Sequence, residues 1–485
     1  MQGAIDWSHN LLEERERVLF RRLSRFTGDF TLEASEHVGC GSSIDKVQVS
    51  ELLSGLVDKS MVAPEQGLEG STRYRLLESM RHFGLQRLGE ANETIDASFR
   101  HLEYYAQFCE VSNAKRRSGQ MAEALGDLDE NEDNLRAALR FSLDQGHLDV
   151  AAQMIGDLWY LWYVAGLFRE GIEWCSQLFD LDPNLSDETR AAALHAYGTL
   201  LGSWAQPEIG AVMLEQEVDL RRRLADPARL AAALNNLGNL LHDLGRFEDA
   251  EENLREAIDQ FRTAGESPTL ALSSLGYGYL HAGDFEQAAT LYGEALEEAA
   301  AVEDAYGLAL ATTHLGQCAV HQGRLTEGRV LVEEARERFV KLKVTPGVAN
   351  ADFNLALVDR DEGNVVEAAK RLLASLEAPD AHWYLASQYW ILQVVASVII
   401  DYAFAAQLVG VANAYYDRAD GEQPAVILED LATTRHLLES YLREAELARN
   451  VAVGRRLALA EVITMAVGAL HSLIESVDRP ADVEC

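Results

Sequence analysis

Basic side chains are in short supply. The 485-residue chain carries 42 Lys and Arg against 78 Asp and Glu, a formal charge of −36. A protein that grips a polyanion releases counterions by presenting clustered cations, so nucleic acid is disfavoured as the main partner. Cysteines number five, Cys40, Cys109, Cys175, Cys318 and Cys485, an odd count without a CxxC pair. This excludes a disulfide scaffold and a zinc ribbon, and fits a reducing compartment. Long apolar runs are missing as well. The longest, Trp390 to Ile400, is interrupted by Gln393 and Ser397 and falls short of the roughly 20 residues that cross a bilayer. The N-terminal MQGAIDWSHNLLEERE has acid where a secretory signal needs a basic segment and an apolar core. A cytoplasmic protein without membrane contact is therefore expected.

Prolines are few, nine in all, which leaves long stretches free to be helical. The 48% apolar and 25% charged shares are those of a folded globular chain, and the length implies several cores or a stacked array. Strand signals are confined to SMVAPEQGLEGSTRYRL, two β-prone pieces around a Pro/Gly turn between Met61 and Leu76. Helical patterns flank it, at Glu13 to Leu23, Leu32 to Val38 and Val47 to Val57 before it and Leu76 to Leu88 after it. Three helices, a two-stranded wing and a closing helix make a winged helix within residues 11 to 90.

Beyond about Asp96 the pattern becomes repetitive. Segments LHAYGTLLGSWAQ, LNNLGNLLHDLGRFEDA, LSSLGYGYLHAGDFEQA and THLGQCAVHQGRLTEG align on Gly198, Gly238, Gly276 and Gly316, and a second glycine recurs at Gly245, Gly283, Gly323 and Gly363. Both series step by 38 or 40 residues. A mid-helix glycine costs about 1 kcal/mol relative to Ala unless a neighbouring helix must come close. The second follows one apolar run and precedes another, which suits a helix-ending residue with positive φ. Alanines at Ala250, Ala257, Ala288 and Ala295 complete the tetratricopeptide pattern, with helices longer than in the roughly 34-residue type. Weaker copies lie around Trp159 to Leu178 and Leu392 to Ala412, so six to eight helical hairpins are expected. The fold class is all-α: a tetratricopeptide-like superhelix preceded by a small winged-helix domain with one β-hairpin. Expected boundaries are 1–95 for the winged helix with its leading helix, 96–190 for linker helices and degenerate hairpins, 191–415 for the superhelix and 416–485 for a helical cap and tail.

With the first glycine at the eighth repeat position, the groove-lining positions follow. They are Asn235, Asn236, Asn239, His242 and Asp243; Ser273, Ser274, Tyr277 and His281; Thr313, His314, Gln317 and His321; and Phe353, Asn354 and Arg360. Amides, hydroxyls and imidazoles in a row can pair with a peptide backbone while aromatics bury its side chains. A merely solvated face would carry Lys and Glu, and concave solenoid surfaces commonly bind. His314, Cys318 and His321 share one helix face and are zinc-ligand types, but three ligands from one helix lack a fourth, so no metal is expected. Trp159, Tyr160, Trp162 and Tyr163 read as a packed hairpin core. No GxSxG, dinucleotide fingerprint or nucleophile with a base at motif spacing occurs. A non-enzymatic protein without cofactor is the expectation.

In the N-terminal 90 residues, AIDWSHNLLEERERVLFRRLSRFTGDFTLEASEHV, LVDKSMV and RYRLLESMRHFGLQRL resemble the winged-helix end of the signal-transduction NTPases in large LuxR-type and AfsR-like bacterial regulators. EYYAQF and ENEDNLRAALRFSLDQG resemble the linker into their tetratricopeptide sensor, and GRRLALAEVITMAV its end. The resemblance implies a regulator that senses a ligand through its repeats. The chain departs from the family in three ways. It has no GxxxxGK[ST] string, and GCGSS at Gly39 to Ser43 reads as a loop between winged-helix helices. Where a phosphate-sensing Met-His-Asp triplet stands in the wider group, it has Leu76, Leu77 and Glu78. Ala466 to Cys485 is too short for the LuxR helix-turn-helix.

The expected function is a regulatory protein whose repeats bind a peptide, protein or small effector and pass occupancy to the winged helix by a population shift. Two alternatives stand beside it. In one, the winged helix reads DNA through Arg21, Arg22, Arg25, Arg73 and Arg75, although residues 11–90 carry 11 basic and 13 acidic side chains, net −2. In the other, the chain is the regulatory half of a split NTPase whose P-loop half is a separately encoded partner.

Overall fold

The computed structural model describes residues 2–478 apart from 42, 68–69, 118–119, 182–183, 205, 379–384 and 417–424. Cys485 and Ser42 lie outside the described residues, as do 68–69 at the tip of the expected hairpin. The chain divides into two compact units, Met1–Tyr163 with Leu167–Tyr197, and Gly198–Cys485 with Val164–Gly166.

The first unit opens with α1 (Gln2–Asn10), followed by α2 (Glu14–Leu23), α3 (Leu32–Gly39) and α4 (Lys46–Asp58). Strands β1 (Ala63–Gln66) and β2 (Thr72–Arg75) then pair antiparallel with Ala63 opposite Arg75, and α5 (Glu78–Glu90) closes the module. Thr31 caps α3 by accepting from the Ala34 N–H, satisfying a donor that the helix start leaves open. Phe20, Phe26 and Phe30 are buried with Leu19, Leu23, Leu53 and Leu56, and Phe26 stacks on Phe30 at 4.2 Å between ring centroids. This is the expected winged helix.

Helices α6 (Thr94–Arg117), α7 (Met121–Glu130), α8 (Glu132–Asp144), α9 (Leu148–Val164) and α10 (Phe168–Asp180) follow. The first turn of α8 is joined to the winged helix by part-buried polar contacts. Asn134 Oδ1 accepts from the Thr27 N–H at 2.9 Å, and its Nδ2 donates to the Asp29 carbonyl at 2.8 Å. Among the aromatics read as a hairpin core, Trp162 is buried, while Trp159 lies against His195 and beneath Arg116.

Helix α11 (Asp187–Trp204), from Gly198 onward, begins the second unit with α12 (Pro207–Leu224). Four hairpins come next: α13 (Pro227–Asp243) with α14 (Phe247–Ala264), α15 (Thr269–His281) with α16 (Phe285–Ala301), α17 (Ala305–His321) with α18 (Leu325–Leu342), and α19 (Thr345–Asp361) with α20 (Val365–Glu377). The two glycine series take the two roles read for them. A Cβ on Gly276 would stand 2.8 Å from the Tyr292 ring, and one on Gly316 2.5 Å from a Val332 methyl, so the helices of a pair approach too closely for a larger residue. Gly245, Gly283, Gly323 and Gly363 have φ of 73°, 80°, 75° and 82°, each reversing the chain after the first helix of a pair. Ala250, Ala257, Ala288 and Ala295 are buried on the second helices. The unit is a tetratricopeptide solenoid, and it ends with α21 (Leu385–Val398), α22 (Tyr402–Tyr416), α23 (Ala425–Tyr441), α24 (Glu444–Gly454) and α25 (Leu459–Asp478).

Buried ion pairs tie the last repeats together. Asp352, 5% exposed, accepts from Arg336 at 2.8 Å and from Arg371 at 3.2 Å, and Asp359, 3% exposed, accepts from Arg329 and Arg371, both at 2.7 Å. Two guanidiniums per carboxylate offset the desolvation that burial imposes. Among the described residues no helix is long and apolar enough to cross a membrane.

Candidate functional site

The first helices of the four hairpins, α13, α15, α17 and α19, carry the polar row. Asn235, Asn236 and Asn239 are half-buried on α13, with His242 buried and Asp243 exposed at its end. On α15, Ser273 and His281 are buried while Ser274 and Tyr277 are half-buried. On α17, Thr313 and Gln317 are buried and His314 and His321 half-buried. On α19, Phe353 and Asn354 are buried and Arg360 half-buried.

The helical spacing brings several of these side chains together. The imidazoles of His242 and His281 lie 5.2 Å apart, and Tyr277 sits 3.8 Å from His281. His314 reaches Gln317 Oε1 at 3.4 Å and stacks on Tyr292 of the neighbouring helix at 4.8 Å. Other residues turn away from a shared site. Thr313 gives its hydroxyl to the Ala309 carbonyl, and Asn354 donates to Asn350 one turn earlier. Several buried polar atoms have no hydrogen-bond partner among the described residues: Asn235 Oδ1, Ser273 Oγ, both ring nitrogens of His281, His321 Nε2 and Asn354 Oδ1. Burial pushes the His242 imidazole down to about 4 and that of His281 well below its ordinary value, so both are neutral at pH 7.

Sequence reasoning missed the residues that face this row from outside the repeats. Trp390 of α21 lies edge-on to Phe353 at 5.0 Å and to His281 at 6.3 Å, and parallel to His321 at 6.4 Å. Its indole N–H donates to Asp430 of α23 at 2.7 Å. Beside it a cavity of about 50 Å³, bounded among others by Tyr277, His314, Gln317 and Asn350, has room for a few waters. In the sequence Trp390 only began an apolar run, and nothing local linked it to a carboxylate forty residues later.

The arginines read as a possible DNA surface are placed differently. Arg22 is 2% and Arg73 3% exposed. Arg21 and Arg22 both bind Glu93, at 3.0 and 3.3 Å. Arg73 binds Asp29 at 2.8 Å, Glu130 at 3.2 Å and Asn131 Oδ1 at 3.0 Å. Arg25 is half-buried, its guanidinium 5.8 Å from the Phe141 ring centroid. Arg75 is exposed, near Glu65 at 3.8 Å. Of these five, Arg21, Arg22 and Arg73 are thus committed to carboxylates of the same chain, and only Arg75 is exposed. Among the described residues no group of three or more His, Cys, Asp or Glu is arranged to hold a metal, and Cys318, between His314 and His321, is buried.

Comparison with known proteins agrees with both modules. A winged helix-turn-helix domain model matches residues 12–89, and a tetratricopeptide repeat model matches residues 229–301. A protein of Mycobacterium tuberculosis strain H37Rv, provisionally named an HTH-type transcriptional regulator, is 32% identical over 346 residues. The match covers 69% of this chain and 38% of that protein; a Mycobacterium bovis protein of the same provisional name gives the same figures. The chain thus spans 38% of the length of the curated relatives it matches. Among solved structures, a signal-transduction ATPase with a tetratricopeptide repeat sensor from Pyrococcus horikoshii is similar at TM-score 0.46 and 14% identity, covering 92% of this chain and 66% of that one. The chain is thus a winged-helix and tetratricopeptide-repeat protein, similar in sequence to proteins named as transcriptional regulators.

Proposed function

We propose that this chain is a non-enzymatic regulatory protein whose tetratricopeptide units bind a peptide or protein segment along the inward row of α13, α15 and α17, in the service of transcriptional control. One observation carries the reading: neighbouring repeats bury polar side chains whose hydrogen-bonding atoms find no partner among the described residues, Ser273 Oγ and both nitrogens of His281 among them. Such groups are costly unless something satisfies them, and an extended peptide supplies donors and acceptors at regular spacing. The names borne by the mycobacterial relatives support the regulatory setting. Burial of Arg22 and Arg73 speaks against the alternative in which the winged helix grips DNA by its arginines.

The test is affinity capture from lysate with the wild-type chain and with Asn236→Ala/Asn239→Ala. Both asparagines are half-buried and can be trimmed without opening the core. Prey lost only from the variant, at an unchanged unfolding midpoint, supports the row as the contact surface. Equal recovery removes it. A P-loop protein among the prey supports the split-NTPase reading.

A further inference from the structure

The inward row is met in this structure by a side chain of the same molecule, and the chemistry of that meeting describes a ligand. Trp390 stands among three flat rings, edge-on to Phe353 at 75° and to His281 at 89°, and within 23° of parallel to His321. An indole-shaped slot is defined on three sides. On the fourth, Asp430 is 4% exposed. Its Oδ1 accepts from Arg360 at 2.8 Å, and its Oδ2 accepts from the indole N–H at 2.7 Å. A carboxylate buried this deeply needs donors on both oxygens. The slot therefore selects a flat aromatic group that also donates a hydrogen bond, and discriminates against Phe and Leu.

The present occupant matches the slot but leaves its surroundings unmatched. Both ring nitrogens of His281, Nε2 of His321 and both amide atoms of Gln393, one helical turn beyond Trp390, lack hydrogen-bond partners among the described residues. Each unpaired buried group raises the free energy of this arrangement. A tryptophan arriving on a peptide brings main-chain N–H and C=O groups, which Trp390 has already committed to its own helix. Such an occupant satisfies Asp430 equally and the imidazoles better.

We propose that the Trp390 seat is the docking site for a tryptophan side chain of a partner peptide, and that Trp390 fills this seat in cis until the partner displaces it. The proposal rests on the reading of the inward row as peptide-binding and names its anchor. The energy of docking is the difference between two occupants of one seat, so a ligand shifts the equilibrium only by what it offers beyond Trp390.

The test uses the full chain and N-acetyl-tryptophanamide as probe. In calorimetric titration, Trp390→Ala is expected to bind the probe at least tenfold more tightly than wild type. The 1-methyl analogue, which cannot donate to Asp430, is expected to bind that variant at least tenfold more weakly than the parent probe, and N-acetyl-leucinamide weaker still. In wild type labelled with 5-fluorotryptophan, the Trp390 resonance, assigned with Trp390→Phe, is expected to move to a solvent-exposed position as probe is added; this measurement stands even where Trp390→Ala does not fold. Equal binding of the parent, methylated and leucine probes, or a Trp390 resonance that stays in place, overturns the proposal. Failure of the wider reading is separable. If Asn236→Ala/Asn239→Ala captures partners as wild type does while the tryptophan probe still displaces Trp390, the row falls and the seat stands.

Discussion

Gly238 of α13 faces Leu254 of α14 so closely that a methyl group on the glycine would stand 2.6 Å from Leu254 Cγ and 3.3 Å from the Ala250 carbonyl oxygen. Two opposing effects decide what Gly238→Ala does. Helix propensity favours alanine by about 1 kcal/mol, while overpacking of this kind costs about 1–3 kcal/mol. The clash involves backbone as well as a branched side chain, so the substitution is expected to destabilise the second unit by about 1 kcal/mol net. Urea unfolding checks it. Adding Leu254→Ala makes room and should recover a coupling of about 1 kcal/mol relative to the sum of the single changes. Strict additivity would mean that the close approach is not what selects glycine.

Gly323 belongs to the other series and should respond differently. Its φ is 75°, and a Cβ there would meet nothing within 4 Å. Space is free, yet the left-handed conformation itself costs a residue with Cβ about 1–2 kcal/mol. Gly323→Ala is expected to lose about 1 kcal/mol, Gly323→Asn less, since asparagine tolerates this region. No trimming of a neighbour should rescue it. Unfolding midpoints for the two variants give the answer, and equal loss from Asn and Ala would count against a backbone origin.

These two glycine roles explain why the solenoid was legible in the sequence. Each is imposed within one helical pair, so the signal repeats every 38 or 40 residues. The winged helix was readable for a similar reason, since its hairpin and flanking helices follow local pattern. The site was only partly readable. Repeat arithmetic put His242, Tyr277 and His281 on adjacent helices, where the structure has them within 3.8 to 5.5 Å of one another. Arithmetic cannot show that Thr313 spends its hydroxyl on its own helix, or that Trp390 and Asp430 approach from helices outside the regular repeats. Nor can local pattern tell an arginine offered to solvent from one such as Arg73, whose partners Asp29 and Glu130 lie 44 and 57 residues away.

Arg73 therefore makes a structural prediction where the sequence suggested a functional one. It is 3% exposed and joins the wing to Asp29, Glu130 and Asn131. Removing it leaves two partly buried carboxylates without their cation, which costs about 3 kcal/mol. Arg73→Ala is expected to lower the unfolding midpoint of the first unit, with little change in retention on a polyanion column at low salt. Arg75→Ala, at an exposed position, should leave the midpoint unchanged. A variant of Arg73 that kept full stability but lost polyanion retention would restore the wing as a nucleic-acid surface.

The buried imidazoles set the direction of the pH response. Burial holds His242 at about 4 in the folded chain, against about 6.5 when unfolded. The folded state therefore binds fewer protons, so stability is fully present above pH 6.5 and is lost as pH falls from 6.5 toward 4. At pH 5 the loss from His242 alone is about 2 kcal/mol. His281, held well below its ordinary value, and His321, lowered by burial, act with the same sign. Carboxylates held low by guanidinium partners, such as Glu251 beside Arg255, also oppose acid but only below about pH 4.5, which separates the two effects. Urea midpoints at pH 7, 6 and 5 are compared between wild type and His242→Phe, so that other groups titrating in this window, Asp243 among them, cancel. His242→Phe keeps the ring contacts with Phe247 and Tyr277 and should flatten the slope of midpoint against pH between pH 6.5 and 5. A slope unaffected by the substitution would mean that His242 titrates in the folded chain as it does in the unfolded one, and that burial does not depress its imidazole.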